Sequence, residues 1–168
     1  MPIAQALLPE FDQEMAITRT LLERVPADRA DWKPHPKSTA LGALAQHLAT
    51  IPSLGLRAIT LTEVDMNPPG SPPRTPPQFE SAEALLATFD ANVTATRAAI
   101  AAATDEELGV TWTLKNAGRT IFAMPRAAVL RTMLMSHIIH HRGQLSVYLR
   151  LNDVPLPSIY GPSADTPM

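Results

Sequence analysis

An all-α fold, a four-helix bundle, is predicted by three features of this 168-residue sequence. Four long segments carry apolar residues at three- and four-residue steps, which is the period of an amphipathic helix. Proline-rich stretches separate several of these segments, and no repeat has the spacing of a solenoid. The chain is long enough for one domain with its own core, so we predict a single domain over residues 1–168.

The first two helices are predicted over residues 3–25 and 40–62. The apolar stripe of the first is Leu7, Phe11, Met15, Thr18, Leu22 and Val25, and that of the second is Leu44, His47, Ile51, Leu54, Ala58 and Leu61. Ser38 or Thr39 is expected to cap the second helix. Pro52 removes a backbone donor, so we expect it to bend this helix.

Residues 63–81 are rich in proline and are predicted to form a long exposed loop. The third helix follows over residues 81–103, with Ser81 as its N-cap. Its apolar stripe is Leu86, Phe89, Val93, Thr96 and Ile100. This loop is long enough to let one connection cross the bundle.

The last third of the chain contains one non-helical segment and one long helix. In residues 109–125, β-branched and aromatic residues flank "KNAGR", which indicates a short hairpin or an extended loop. The fourth helix is predicted over residues 125–151, with Pro125 in its first turn. An irregular tail over residues 152–168 completes the chain.

Composition argues against several classes of function. The net charge of −2 and the lack of a Lys/Arg-rich run argue against binding to nucleic acid. The absence of cysteine excludes disulfides, cysteine zinc sites and thiol catalysis by the protein itself. The N-terminus does not resemble a signal peptide, and no apolar run is long enough to span a membrane. We therefore expect a cytoplasmic protein.

The stretch "SHIIHHRGQ" holds three of the five histidines. The stripe of the fourth helix (Ala127, Leu130, Leu134, Leu145 and Tyr148) passes through His137 and His141 in its middle. These two are separated by about 40° around the helix, so both rings can reach one metal ion. His140 is rotated about 60° from His137 in the other direction, towards the edge of the stripe. His47 occupies the same kind of position on the second helix, which predicts three histidines facing the bundle core.

Three interpretations of the histidines are open: surface residues, a hydrogen-bonded cluster or metal ligands. A single histidine on an apolar face is usually a core residue with satisfied hydrogen bonds. Three buried together are harder to satisfy, because each unpaired polar group costs about 1–3 kcal/mol. A shared ion satisfies one nitrogen on each ring, which favours a metal site at His47, His137 and His141. His35, among prolines, is predicted to lie at the surface or at a pocket rim.

Two stretches resemble the DinB family, also called DinB/YfiT-like. They are "WKPHPKSTALGALAQHLA" around His47 and "HIIHHRGQLSVYLRLNDVPLPSIYGPSAD" after residue 136. The resemblance implies an up-down-down-up four-helix bundle and a divalent ion, nickel or zinc, held by His47, His137 and His141. Family members commonly form homodimers, so a homodimer is expected. Known reactions in the family and its relatives include transfers and isomerisations that use a low-molecular-weight thiol.

A three-histidine site leaves a coordination position open, which is typical of catalytic sites. A bound water would become a hydroxide nucleophile near neutral pH, and a bound thiol would become a thiolate. We therefore predict a metal-dependent enzyme acting on an unknown small molecule. Hydrolysis through the metal-bound water is the first candidate, and thiol transfer is the alternative.

Neighbouring residues have open roles. His140 is a candidate proton shuttle or a structural hydrogen-bond partner, and Arg142 is a candidate anion ligand or an ion-pair partner. Gln144 is expected to orient a ligand histidine. Three aromatic residues are candidates for a pocket, the core or a dimer interface: Trp32, Trp112 and Tyr160. Two carboxylates at the end of the second helix, Glu63 and Asp65, are too distant to provide a fourth ligand unless the loop folds back. A non-catalytic metal clamp or sensor, and a damage-response factor, are the further alternatives.

Overall fold

The computed structural model describes residues 1–72 and 75–166. The helices are α1 Ile3–Leu22, α2 Leu41–Thr50, α3 Pro52–Thr60, α4 Ala82–Ala102, α5 Asp105–Gly109, α6 Arg126–Val129 and α7 His137–Leu151. The strands are β1 Glu63–Asp65, β2 Thr111–Asn116 and β3 Arg119–Pro125. A 3₁₀ turn covers Ala27–Arg29, and a π-helical segment, Leu130–Ser136, joins α6 to α7. Parts of the predicted loop and tail, residues 73–74 and 167–168, lie outside the described residues.

The long helices pack around a shared apolar core. Helix α4 contacts α1, α2 and α3, and α7 contacts α1 and α2. The predicted stripes supply much of this core: Phe11, Met15 and Leu22 of α1 are buried, as are Phe89 and Ile100 of α4. Ser81 caps α4 as predicted, because its Oγ accepts a hydrogen bond from the Ala84 amide at 3.1 Å. Within the described residues, no helix is both long and apolar enough to cross a membrane.

The second predicted helix is two helices, which corrects the prediction over residues 40–62. Helix α2 ends at Thr50, and Pro52 begins α3 at a position where its missing N–H costs nothing. Helix α4 satisfies carbonyls at the break: the Asn92 amide donates to the Ala49 carbonyl at 2.9 Å, and the Thr96 hydroxyl donates to the Pro52 carbonyl at 2.7 Å.

The cap predicted for the second helix is also wrong. The N-cap is Ala40, and no side chain caps α2. The carbonyls of Trp32 and Ala30 accept from the amides of Leu41 and Gly42 instead, at 2.9 and 2.8 Å. Backbone groups of the preceding turn therefore replace the predicted hydroxyl.

A three-stranded sheet in the order β1-β2-β3 departs from the all-α prediction. Strands β2 and β3 form the hairpin anticipated around "KNAGR", and its turn places Ala117 and Gly118 at positive φ of 51° and 76°. Strand β1 pairs in parallel with β2 and lies inside the segment predicted to be a loop. Trp112 of β2 is buried against α3 and α6 and forms a second, smaller core with Ala58, Leu114 and Val129.

The fourth predicted helix is continuous over residues 126–151, but it is not α-helical throughout. A π-helix bonds each residue to the fifth one along the chain, so it turns less per residue than an α-helix. The segment Leu130–Ser136 therefore rotates everything after it. The residues of α7 that face the core are Ile138, Arg142, Leu145 and Leu149. His137 and His141 lie beside this buried stripe, and the prediction that they occupy it is wrong.

Candidate metal centre

Three histidines from two helices converge at one point. His47 lies near the middle of α2, while His137 begins α7 and His141 follows one turn later. One ring nitrogen from each residue lies within 4.8 Å of the other two. The Nε2 atom of His137 is 3.4 Å from Nε2 of His47 and 2.9 Å from Nε2 of His141. The three residues singled out in the sequence therefore form one cluster.

The packing of α2 against α7 positions the cluster. Leu44 and Leu48 flank His47 on α2 and are buried, and Leu145 is buried on the facing helix. A shift of either helix would therefore disturb the core. The rigid i, i+4 spacing on α7 then fixes the two other rings one above the other.

The cluster lies at the edge of the helical core and not within it. His47 is exposed, and His137 and His141 are half-buried. This corrects the prediction of three core-facing histidines. The corrected position gives small molecules access to the ring nitrogens.

The surroundings of the rings favour the neutral imidazoles. The His47 ring packs against two other rings, with centroids 4.7 and 5.2 Å away, although the residue as a whole is exposed. Desolvation of this ring, followed by the charges of His141 and His137, lowers the pKa of His47 to about 4. Burial and the neighbouring His141 also lower the pKa of His137. Both rings are therefore neutral at pH 7, which is the form that binds metals.

Gln144 fixes the tautomer of one histidine. Its Oε1 lies 2.7 Å from Nδ1 of His141. Because an amide oxygen only accepts, Nδ1 of His141 carries the proton and Nε2 presents its lone pair to the cluster. This is the orienting role that the sequence suggested for Gln144, and such a partner is typical of metal-binding histidines.

The donor set fits a divalent ion of the nickel or zinc type. Imidazole nitrogens suit both metals, and a lone pair of His141 already points at the other two rings. Nδ1 of His137 is buried and makes no hydrogen bond of normal geometry with the described residues. The backbone of Met133 is near enough to raise the pKa of His137 slightly, against the larger lowering by burial. The atoms that converge are the three Nε2 atoms, and a shared ion would give each of them a partner.

Two cavities meet at the cluster. The larger has a volume of about 460 Å³ and reaches His47 and His137. The smaller, about 410 Å³, reaches His47, His141 and Gln144. His47 therefore borders both spaces, each of the size of a small-molecule site.

Arg142 is part of a structural network. It is 2% exposed, and its guanidinium pairs with the buried Glu14 carboxylate at 2.6 Å. It also donates to the Thr18 hydroxyl and to Tyr160, whose hydroxyl donates to Glu14 at 2.8 Å. The ion-pair interpretation of Arg142 is thus the correct one. The sequence did not identify Glu14, which sits beside the stripe of α1.

The other histidines stay outside the cluster. The His140 ring is exposed, with its centroid 5.0 Å from that of His141. His35 is exposed in its loop, where its Nδ1 accepts from the Lys37 amide at 3.1 Å. Neither residue contributes a nitrogen to the cluster.

The remaining candidates have structural contacts. Trp112 is a core residue, and Trp32 packs edge-on against Tyr148. Glu63 pairs with Lys115 at 2.6 Å, and Asp65 accepts from the Gly118 amide at 2.8 Å. These two carboxylates hold the sheet together and are not ligands of the cluster.

Comparisons with known proteins agree with this architecture. A family model described as the DinB superfamily matches residues 10–145. A DinB-like protein from Bacillus cereus ATCC 10987 superposes with a TM-score of 0.72 at 22% identity, covering 93% of this chain and 97% of that one. A DinB-like protein, YjoA, from Bacillus subtilis gives a TM-score of 0.67 at 21% identity, covering 92% and 97%. No curated protein gives a significant match.

Proposed function

Because the chain belongs to the DinB superfamily, we propose that it is a metal-dependent enzyme whose ion is held by His47, His137 and His141. The convergence of three ring nitrogens from two helices is the observation that carries this proposal. Nickel or zinc is the proposed ion, since both accept imidazole ligands. The small-molecule substrate, the up-down-down-up helix order, the homodimer and the cytoplasmic location stay predictions from the sequence.

A divalent ion at this site would supply Lewis-acid chemistry, lowering the pKa of a water or a thiol. The protein's own contribution is positioning. Gln144 holds the His141 ring in the tautomer that presents Nε2, and the packing of α2 on α7 keeps the nitrogens together. His140, exposed beside His141, is our candidate for moving protons to solvent.

Hydrolysis is the first proposed reaction, because it needs one organic substrate and water. The cluster is accessible from solvent through two cavities, so both can reach it. No carboxylate among the described residues joins the histidine cluster, so the open side of the site is free for substrate.

Thiol transfer is the second candidate, and the two cavities favour it specifically. A transferase must hold two organic molecules at once, and His47 borders a separate space on each side. A low-molecular-weight thiol in one space and its acceptor in the other would meet at the histidines.

Metal analysis and an activity screen test the proposal together. Untagged protein is analysed for bound metal, stripped with a chelator and reloaded with nickel or zinc. It is then assayed on a panel of esters and amides with and without thiols. We expect stoichiometric metal in the native protein, and turnover that is lost on stripping and in His47→Ala. The His35→Ala variant, which removes an exposed histidine outside the cluster, is the matched control.

Two results would contradict the proposal in different ways. Protein that binds neither nickel nor zinc would remove the metal site. Protein that binds metal through His47 but turns over no member of the panel would favour the non-catalytic clamp or sensor. Salt-dependent DNA binding at physiological ionic strength would revive the damage-response alternative.

A further inference from the structure

The two cavities beside the histidines differ in chemistry. Polar side chains line much of the smaller one, including Lys37, Ser38, Thr39 and Gln144. Apolar side chains dominate the wall of the larger one: Leu54, Val64, Met66, Leu114 and Met133. A molecule that enters the site therefore meets a polar wall on one side of His47 and an apolar wall on the other.

Most of the wall of the larger cavity comes from elements outside the histidine-bearing helices, although α2 and His137 also contribute to it. Leu54 comes from α3, Val64 from β1 and Leu114 from β2, while Met133 lies in the π-helical segment. Strand β1 pairs with β2 and so holds Val64 and Met66 against this side of the protein. The sheet that departs from an all-helical fold thus supplies one wall of the cavity.

Two polar side chains of this wall, Ser53 and Asn67, bond to the protein itself, and the wall also includes Gln46, Thr50 and Arg57. Ser53 donates to the Thr50 carbonyl at 2.8 Å and accepts from Arg57 at 3.2 Å. The Asn67 amide donates to the Asn116 side chain at 2.8 Å. Because apolar side chains form most of the wall, apolar contact is the main interaction that it offers, and two flexible methionines let it adapt to irregular shapes.

We propose that the substrate has an apolar body, an alkyl or aryl group, which fills the larger cavity and directs its reacting polar group at His47 and His137. This inference rests on the proposed metal-dependent function, because it places the reacting end at the metal ligands. Binding energy from the apolar body would then hold the reacting group in position.

A homologous series of n-alkyl hydroxamates, from acetohydroxamate to octanohydroxamate, tests the inference on metal-loaded protein. The hydroxamate head binds the metal, and the tail reports on the cavity. Burial of each methylene in an apolar site is expected to raise affinity about four-fold until the cavity is full. Isothermal titration calorimetry with the zinc-loaded protein measures each affinity.

The outcomes separate the two proposals. If all the hydroxamates bound with equal affinity, the proposal that the apolar body fills the larger cavity would be wrong, and the metal site would stand. A series in which no member binds the zinc-loaded protein would overturn the open coordination position on which the proposed catalysis depends, and with it this inference. Neither outcome depends on a variant folding.

A double variant locates the effect in the cavity. Met66→Gln with Met133→Gln keeps the side-chain size but adds amide groups to the wall. We expect octanohydroxamate to bind roughly ten-fold more weakly, with acetohydroxamate unchanged. Ile121→Gln, on the exposed face of β3 outside both cavities, is the matched control. A double variant with the wild-type chain-length dependence would overturn the assignment of the tail to this cavity.

Discussion

Two polar sites lie side by side on α7 and are built on opposite principles. Arg142 is buried and has charged or polar partners on α1 and the tail, among them Glu14, Thr18 and Tyr160. His141, its neighbour in sequence, is half-buried and faces two more imidazoles and Gln144. One site pairs unlike groups that satisfy each other. The other gathers like groups beside two cavities.

This difference separates stability from function within one helix. The buried guanidinium and carboxylate of the Arg142 network are paired with each other and closed off from solvent, so the network holds the fold. Three imidazoles stabilise one another poorly, because their three Nε2 atoms face one another instead of groups of opposite charge. Removing Arg142 should therefore cost folding free energy, and removing a histidine should cost metal affinity.

The largest expected effect is on the free energy of unfolding of Arg142→Met. The substitution leaves the Glu14 carboxylate buried without its cation, which typically costs about 3–5 kcal/mol. Urea denaturation of the metal-free protein measures it. Arg150→Met is the matched control: its pair with Asp165 lies at the surface, so we expect a loss of less than about 1 kcal/mol.

A double variant sharpens this first prediction. Glu14→Leu combined with Arg142→Met removes both charges, so much of the lost stability should return. If Arg142→Met were no more destabilising than Arg150→Met, the contrast between a closed network and an open site would fail.

The second effect is on metal affinity in His137→Ala. We expect nickel or zinc to bind more than about 100-fold more weakly, since even partners of ligands are worth 10–100-fold. The metal-free variant should unfold within about 1 kcal/mol of the wild type, because His137 is half-buried at the edge of the core and the net worth of its Nε2 contact with His141 is about 1 kcal/mol. Competition with a chromophoric chelator gives the affinity, and urea denaturation gives the stability. A variant that lost several kcal/mol without metal would make the histidines a structural cluster.

The same contrast explains what the sequence could predict. The i, i+4 spacing placed His137 and His141 on one side of α7, and their helix periodicity pointed to His47 on a second helix, because this pattern is local and survives errors in boundaries and in the exact burial of each stripe. The stripes of α1 and α4 and the cap at Ser81 were confirmed for the same reason. The two stretches around His47 and after residue 136 also identified the family, which the family model confirms.

Non-local features escaped the sequence for physical reasons. Strand β1 has three residues, too few to show alternation, and exists because β2 pairs with it from 50 residues along the chain. The π-helical segment turns less per residue than the α-helix that the sequence predicted, so it changes the angle between Leu130 and the histidines of α7. The ion pair between Glu14 and Arg142 joins α1 to α7, so the local sequence around either residue could not predict it.

A smaller effect on metal affinity is expected for Gln144→Ala. The variant keeps all three histidines but frees the His141 ring, so metal should bind about 10–100-fold more weakly. Gln144→Glu retains an acceptor for the Nδ1 proton of His141 and should restore most of the affinity. Chelator competition measures all three proteins. Equal affinity in Gln144→Ala and wild type would show that the hydrogen bond at 2.7 Å does not orient the ligand.

The smallest effect concerns Tyr160, which closes the buried network from the tail. Its hydroxyl donates to Glu14, so Tyr160→Phe should lower the free energy of unfolding by about 1 kcal/mol at pH 7.

Burial, followed by the hydrogen bond to Glu14, raises the pKa of Tyr160 above its usual value of 10.0. A raised pKa in the folded state means that the neutral phenol stabilises the fold. The advantage of wild type over Tyr160→Phe is therefore fully present below pH 10 and shrinks as the pH rises through the folded-state pKa. Urea denaturation of both proteins at pH 7 and pH 11 measures the change, with Tyr148→Phe, outside the network, as the control. If Tyr160→Phe unfolded with the wild-type free energy at both pH values, the contribution of Tyr160 would lie in the packing of its ring over Arg142, 5.2 Å away, which the variant keeps, and not in its hydroxyl.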